Sequence, residues 1–285
     1  MTRRNSPTVR RRRLGSELRR IRDELRRPAD EVVKYMGWSL SKLSRIESGK
    51  SGVAWEAVVA LLEYYGITGE RRDALIALAR EARQEGWWQP YNDFLSKDYS
   101  TYIGLETAAA SLRLYQAQGL PGLFQTADYA YNIIAEGGAL DLSDAEIERR
   151  VDLRLQRQAV LDGDNPLEVW AVLDEACLRR RIGGDETMRF QLLHLTQAAR
   201  RPNVNIQVMP FGAGAHASMT GAFGIFSFDA GEPDVPFVES FAGTLYIEIE
   251  SEVRAANLTY DHLRATALSA ADSLRLIRTV VKEYE

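Results

Sequence analysis

The chain of 285 residues is poor in sulfur and in imidazole. Its one cysteine, Cys177, leaves no room for an internal disulfide framework and fits a reducing compartment. Three histidines, His194, His216 and His262, stand far apart, so no metal-ligand spacing is present. No apolar run approaches the ~18 residues of a membrane helix. The basic N-terminus has no apolar segment behind it, which argues against a secretory signal. These absences predict a cytoplasmic protein that needs no membrane, metal or cofactor. Hydrophobic residues make up 45% and charged residues 27%, ordinary for a globular chain long enough for two domains.

Charge is unevenly placed. Residues 1–50 hold 15 Lys/Arg against 6 Asp/Glu, a net of +9, whereas the rest of the chain carries a net of -13. The formal total of -4 hides this split. A basic end on an acidic body suits a polyanionic partner at one end only.

The first 13 residues, with Arg3, Arg4 and Arg10, Arg11, Arg12 and Arg13, read as a disordered basic arm able to track phosphates. From Leu14 a helical period starts. Leu14, Leu18, Ile21 and Leu25 recur at three and four residues, as one buried stripe does. Val32, Val33 and Met36 mark a second helix that Gly37 ends. Then comes S-L-S-K-L-S-R-I-E-S-G-K at 39–50. Ser39 is an N-cap, Leu43 and Ile46 point inward, Ser44 is small enough for close packing, and Gly49 is the stop. Further helices are expected at 53–65 and 69–84. Five short helices over 14–84, with a glycine turn between the second and third, make a helix-turn-helix domain.

The segment G-W-S-L-S-K-L-S-R-I-E-S-G-K resembles the recognition segment of the xenobiotic-response-element, lambda-repressor-like family. The resemblance implies that the third helix enters the major groove of double-stranded DNA. It puts Ser39 at a phosphate, Leu40 and Ser41 near base edges, Lys42 beside them, Arg45 one turn on and Lys50 at a phosphate. It also implies a structural pair between Arg22 and Glu47. Leu40 stays open between groove and core. Where many relatives begin the second helix with a phosphate-binding glutamine, this chain has Ala29.

Residues 85–102 form a bridge rich in large aromatics, including Trp87, Trp88, Tyr91, Phe94, Tyr99 and Tyr102. These side chains are too apolar to stay in water, so they pack the halves together or line a partner surface or ligand pocket. The body, 103–285, reads as α+β with a small, mostly antiparallel sheet. Helices are expected at 103–118, 126–136, 143–161, 174–181, 185–200, 251–267 and 270–283. Strands are expected at 167–173, 204–209, 222–228, 236–241 and 244–250, the last two as a hairpin around Ala242-Gly243. The helix at 143–161 turns Ile147, Val151, Leu155 and Ala159 inward and Arg149, Arg150, Arg154 and Arg157 outward, Arg154 serving as a candidate partner contact.

L-P-G-L-F-Q-T-A-D-Y-A at 120–130, R-x-x-R-Q at 154–158, N-P-L-E-V-W-A-V-L-D-E-A at 165–176, L-R-R-R-I-G-G at 178–184 and V-M-P-F-G-A-G-A-H at 208–216 resemble the large C-terminal domain of unknown function of WhiJ-like actinobacterial regulators. That resemblance implies control of development or antibiotic production, with a small partner protein encoded nearby. It supplies no ligand or catalytic residue.

No catalytic cluster stands out. Asp174 reads as a cap for the following helix, and Cys177 as buried. His216 lies in a glycine-rich loop that cradles a ligand or serves as a plain turn. The expectation is a regulator, not an enzyme. It is expected to bind DNA as a homodimer, because one helix reads only a few base pairs, and to be modulated through its body by a protein or small ligand. The alternative is an antitoxin-like protein that neutralises a small toxin and represses its own operon.

Overall fold

Ser6 starts the first helix. Its Oγ accepts the Thr8 N–H at 3.3 Å, and Pro7 takes the first helical position, where a missing N–H costs nothing. In this computed structural model, which describes residues 6–137, 142–229 and 232–284, α1 therefore spans Pro7–Glu24. This corrects the disordered arm. Ser6, Pro7 and Thr8 are buried, and Arg10 pairs with Glu81 at 3.3 Å, so the helix is anchored from its first turn. Arg3 and Arg4 lie outside the described residues.

Four helices follow: α2 (Ala29–Met36), α3 (Leu40–Glu47), α4 (Trp55–Tyr64) and α5 (Gly69–Glu81). They close on one core of Leu14, Leu18, Ile21, Val32, Leu43, Ile46, Val58, Leu61, Leu62 and Leu75. Leu25, at the foot of the α1 stripe, is exposed. The chain forms two compact units, the first ending at Ala108 and the second starting at Ala109. The boundary expected at 84 thus falls inside the first unit. Its last helix, α6 (Lys97–Ala108), crosses α1 so closely that a Cβ on Gly104 would meet Thr8 Oγ1 at 2.2 Å.

A single helix over 103–118 does not form. Past Ala108 the chain turns into β1 (Ser111–Gln116), an inner strand of a six-stranded sheet. The order is β3-β2-β1-β4-β5-β6, with β2 (Glu168–Asp174), β3 (Val204–Met209), β4 (Phe223–Ser227), β5 (Val235–Ser240) and β6 (Gly243–Tyr246). β1, β2 and β3 run parallel; β4, β5 and β6 continue antiparallel from β1. The body is α+β as expected, and the sheet is mixed. Its parallel half is joined by crossovers: α7 (Ala127–Gly137) and α8 (Asp144–Arg157) link β1 to β2, and α9 (Glu175–Arg179) and α10 (Gly184–Ala198) link β2 to β3.

Two closing helices complete the body, α11 (Glu250–Thr266) and α12 (Ala270–Val281). Tyr260 and Leu263 of α11 pack on Tyr115, Val172, Met209 and Ile225 of one sheet face, and Tyr260 Oη donates to the Trp170 carbonyl at 2.7 Å. The turn from α11 to α12 seals the outer side of β3. Leu268 N–H donates to the Val208 carbonyl at 2.9 Å, and Val208 N–H donates to Ser273 Oγ at 2.8 Å. Among the described residues, no helix is long and apolar enough to cross a membrane.

Candidate nucleic-acid interface

The turn between α2 and α3 is made by Gly37, whose φ of 64° lies in the left-handed region that a side chain resists. The chain then extends through Ser39, which caps α3 by accepting the Lys42 N–H at 3.2 Å. Within α3 only Leu43 and Ile46 are buried. Their three-residue spacing turns Leu40, Ser41, Lys42, Ser44 and Arg45 to solvent. Ser44 is therefore not a packing residue. Leu40 is 52% exposed and so belongs to the open face. Lys42 Nζ lies 4.8 Å from the centre of the Trp38 ring, a cation–π contact that steadies the first turn. Ser48 Oγ donates to the Ser44 carbonyl at 2.8 Å, and Gly49 (φ 67°) ends the segment. Lys50 follows, exposed. Among the described residues, the Arg45 and Lys50 side chains have no ion-pair partner.

The back of α3 rests on α1. A Cβ on Gly15 would stand 2.3 Å from the Ile46 carbonyl oxygen and 2.7 Å from that of Glu47. One on Gly49 would stand 2.6 Å from Arg12 Cα. The helices thus touch backbone to backbone, as only glycine permits. One polar clasp holds the same junction. Arg22 Nε donates to Glu47 Oε1 at 2.6 Å and Arg22 Nη2 to Oε2 at 3.0 Å. The Glu47 hydrogen bonds hold the Arg22 guanidinium above its ordinary pKa despite partial burial. Tyr65 is buried beside this pair; burial, then the Glu47 charge, pushes its phenol well up.

The arginine run of α1 is partly committed to the fold. Arg10 Nη1 donates to Gln84 Oε1 at 2.9 Å and to the Glu81 carbonyl at 3.2 Å. Arg11 is half-buried, its guanidinium drawn down by desolvation, with Nη2 donating to Thr8 Oγ1 at 3.4 Å. Arg12 supports Gly49, and Arg13 is exposed.

The bridge aromatics have separate places. Trp88 and Tyr102 are buried, whereas Trp87 is more open and donates its Nε1 hydrogen to Thr107 Oγ1 at 3.2 Å. Tyr91 is half-buried, with its ring edge-on to Phe94. In the second unit Arg154 does not point outward; it donates to Gln125 Oε1 at 2.7 Å, and Arg157 is buried. Together with Gln158, which donates to the Gly122 and Gln125 carbonyls, Arg154 pins the loop after β1. Leu153 takes an inward place on α8, and Ala159 is exposed.

His216 is not on a free loop either. Its Nδ1 accepts the Ser218 N–H at 3.2 Å, and its Nε2 lies 3.0 Å from Tyr115 Oη, which is 3.3 Å from Asp174 Oδ2. Asp174 Oδ1 accepts the Ala176 N–H and caps α9. Three residues far apart in sequence meet at the carboxyl ends of β1 and β2, an association that sequence distance concealed. Cys177 is buried nearby and donates to the Gln116 carbonyl at 3.2 Å; burial pushes its thiol up to about 12.

Two family models match the chain. One, a helix-turn-helix domain, covers residues 13–75; the other, a domain of unknown function (DUF5753), covers residues 99–279. No curated protein and no solved structure matches.

Proposed function

This chain belongs to the DUF5753 family, and from that premise and its helix-turn-helix head we propose that it is a sequence-specific DNA-binding transcriptional regulator. The observation that carries the reading is the exposed face of α3. A capped helix, clasped to α1 from behind, holds out Ser41, Lys42 and Arg45, with Lys50 just past its end. Arg45 reaches guanine O6 and N7, the serines tolerate several bases, and Lys42 and Lys50 answer phosphates. Of the basic run in α1, Arg13 is exposed, and Arg10 is held by Glu81.

The protein acts as a homodimer on paired half-sites, in the cytoplasm. Its body takes a small protein partner or ligand that alters the spacing of the two heads. Control of development or antibiotic production follows from the WhiJ-like resemblance alone. The test is enrichment of binding sites from random duplex DNA, followed by gel-shift titration of wild type and Arg45→Ala. Enrichment of a half-site whose guanine contact is lost in the variant supports the reading. No enrichment, or equal affinity of both proteins for the enriched site, overturns it.

A further inference from the structure

Arg11 is a desolvated cation without a counter-ion. Other arginines of the same helix are answered, Arg10 by Glu81 and Arg22 by Glu47. Among the described residues, the Arg11 side chain has one polar partner, the Thr8 hydroxyl at a long 3.4 Å. Its Nε is shut from solvent and makes no hydrogen bond. A guanidinium keeps its charge at any ordinary pH, so it cannot escape burial by losing a proton. The cost is relieved only when an acceptor arrives.

The acceptor has a place to stand. Arg11 lines a small cleft in the head together with Leu14, Ile46, Gly52, Ala82 and Arg83. Leu14, Ile46 and Ala82 are buried, whereas Gly52 and Arg83 are exposed, so the cleft has an apolar floor and an open rim. The Arg83 side chain has no polar partner among the described residues. Two cations thus border one opening, and neither has an anion. The enclosed space is about 10 Å³, room for one water-sized atom.

Size and charge select the ligand. A lone water would satisfy Nε and leave both charges unanswered. A molecule that must be swallowed whole does not fit. A phosphodiester does: one anionic oxygen enters, and the rest stays at the rim. Position names the source. Gly52 lies two residues past Lys50, and the Ser51 N–H donates to the Arg45 carbonyl at 3.0 Å, so the rim is tied to the end of α3. We propose that Arg11 and Arg83 form an anion-binding cleft that takes a phosphate of the DNA backbone, separate from the phosphate met by Lys50. This rests on the reading that α3 enters a groove of DNA. It adds a clamp that positions the head on the duplex without reading bases.

The probes are duplexes of the enriched site, each with one backbone phosphate replaced by a neutral methylphosphonate. Their binding to the full-length protein is followed by fluorescence anisotropy. Wild type is expected to lose about tenfold in affinity at one phosphate, and Lys50→Ala to stay sensitive there. Arg11→Met, which keeps the apolar stem, and Arg83→Ala are each expected to bind the unmodified duplex about tenfold more weakly. Each should lower the salt slope by about 1 and lose sensitivity at that phosphate alone. The double variant is expected to lose less than the product of the two single losses, because both side chains hold one group. Thermal unfolding should find Arg11→Met at least as stable as wild type, since it removes an unpaired buried charge. Methylphosphonate sensitivity unchanged in both variants overturns the proposal. So does a clear loss of stability in Arg11→Met with affinity unchanged in Arg83→Ala, because Arg11 is then structural. If no site is enriched, the DNA reading has failed, and inorganic phosphate alone tests the cleft. It is expected to raise the unfolding temperature of wild type and not of Arg11→Met; an equal rise in both, or none, overturns the cleft too. Phosphate that stabilises wild type alone while no methylphosphonate position matters supports the cleft and overturns DNA as its source.

Discussion

Arg22 and Glu47 join the first helix of the head to the end of its third by two hydrogen bonds, 2.6 and 3.0 Å long. Both side chains are largely buried, with 15% and 9% of their surface exposed. The pair therefore sets where α3 stands more than what it reads. Removing one partner leaves a desolvated charge behind. Glu47→Ala is expected to destabilise the head by about 3 kcal/mol. Denaturant unfolding of the two single variants and the double variant checks it: the double change should cost less than the sum of the singles.

Arg45→Ala and Lys50→Ala should separate two kinds of contact. The first is expected to weaken the enriched site about ten- to a hundredfold and relax preference at one base pair. The second should weaken all sequences alike and lower the slope of log affinity against log salt by about 1. Gel-shift titrations across a salt series distinguish them.

Gly15→Ala adds one methyl group where the nearest atoms are the carbonyl oxygens of Ile46 and Glu47, at 2.3 and 2.7 Å. Neither can rotate away, so α3 must shift or its last turn must open. A loss of about 1–3 kcal/mol in the head's stability is expected, with DNA binding weakened although no DNA-facing residue has changed. Gly37→Ala meets open space and strains only its left-handed backbone, so about 1 kcal/mol is expected there. Thermal unfolding followed beside gel shift orders the two variants.

Cys177 should resist alkylation in the folded protein at about pH 8, where a free thiol reacts, and react fully once unfolded. Burial, then the nearby Asp174 charge, raises its pKa from 9.0 to about 12. The sign follows: the folded state keeps the proton longer than the unfolded state, so this group's contribution to stability is complete below 9 and is lost as pH rises toward 12. Mass spectrometry after timed alkylation, together with unfolding curves at rising pH for wild type and Cys177→Ala, checks both statements.

The head was legible because its signals are local. Ser39 caps, Gly37 turns, and the apolar residues of each helix recur within one or two turns. What stayed hidden depended on distant partners. Arg10 looks like a free cation until Glu81, 71 residues on, is placed beside it. β1 was masked by the alanines at 108–110, good helix formers that carry the period of Ile103 and Leu105 into Leu112 and Leu114. The parallel half of the sheet was invisible for the same reason, since β1 meets β2 only after a long crossover. Within the candidate interface, the face of α3 could be read from Leu43 and Ile46. The Gly15 contact could be suspected only as a glycine inside a helical stripe. Tyr115, Asp174 and His216 gave no sequence sign of meeting.

Ser273 and Leu268 take both backbone groups of Val208, although Ser273 stands 65 residues further along the chain. At that point β3 is therefore finished by helices made after all six strands. Until α12 docks, the strand offers an unpaired donor and acceptor, the kind of edge on which extended segments of other chains pair. The order of the chain thus leaves this edge of the sheet exposed longest during folding, and the closing helices serve it as a guard as well as a packing layer.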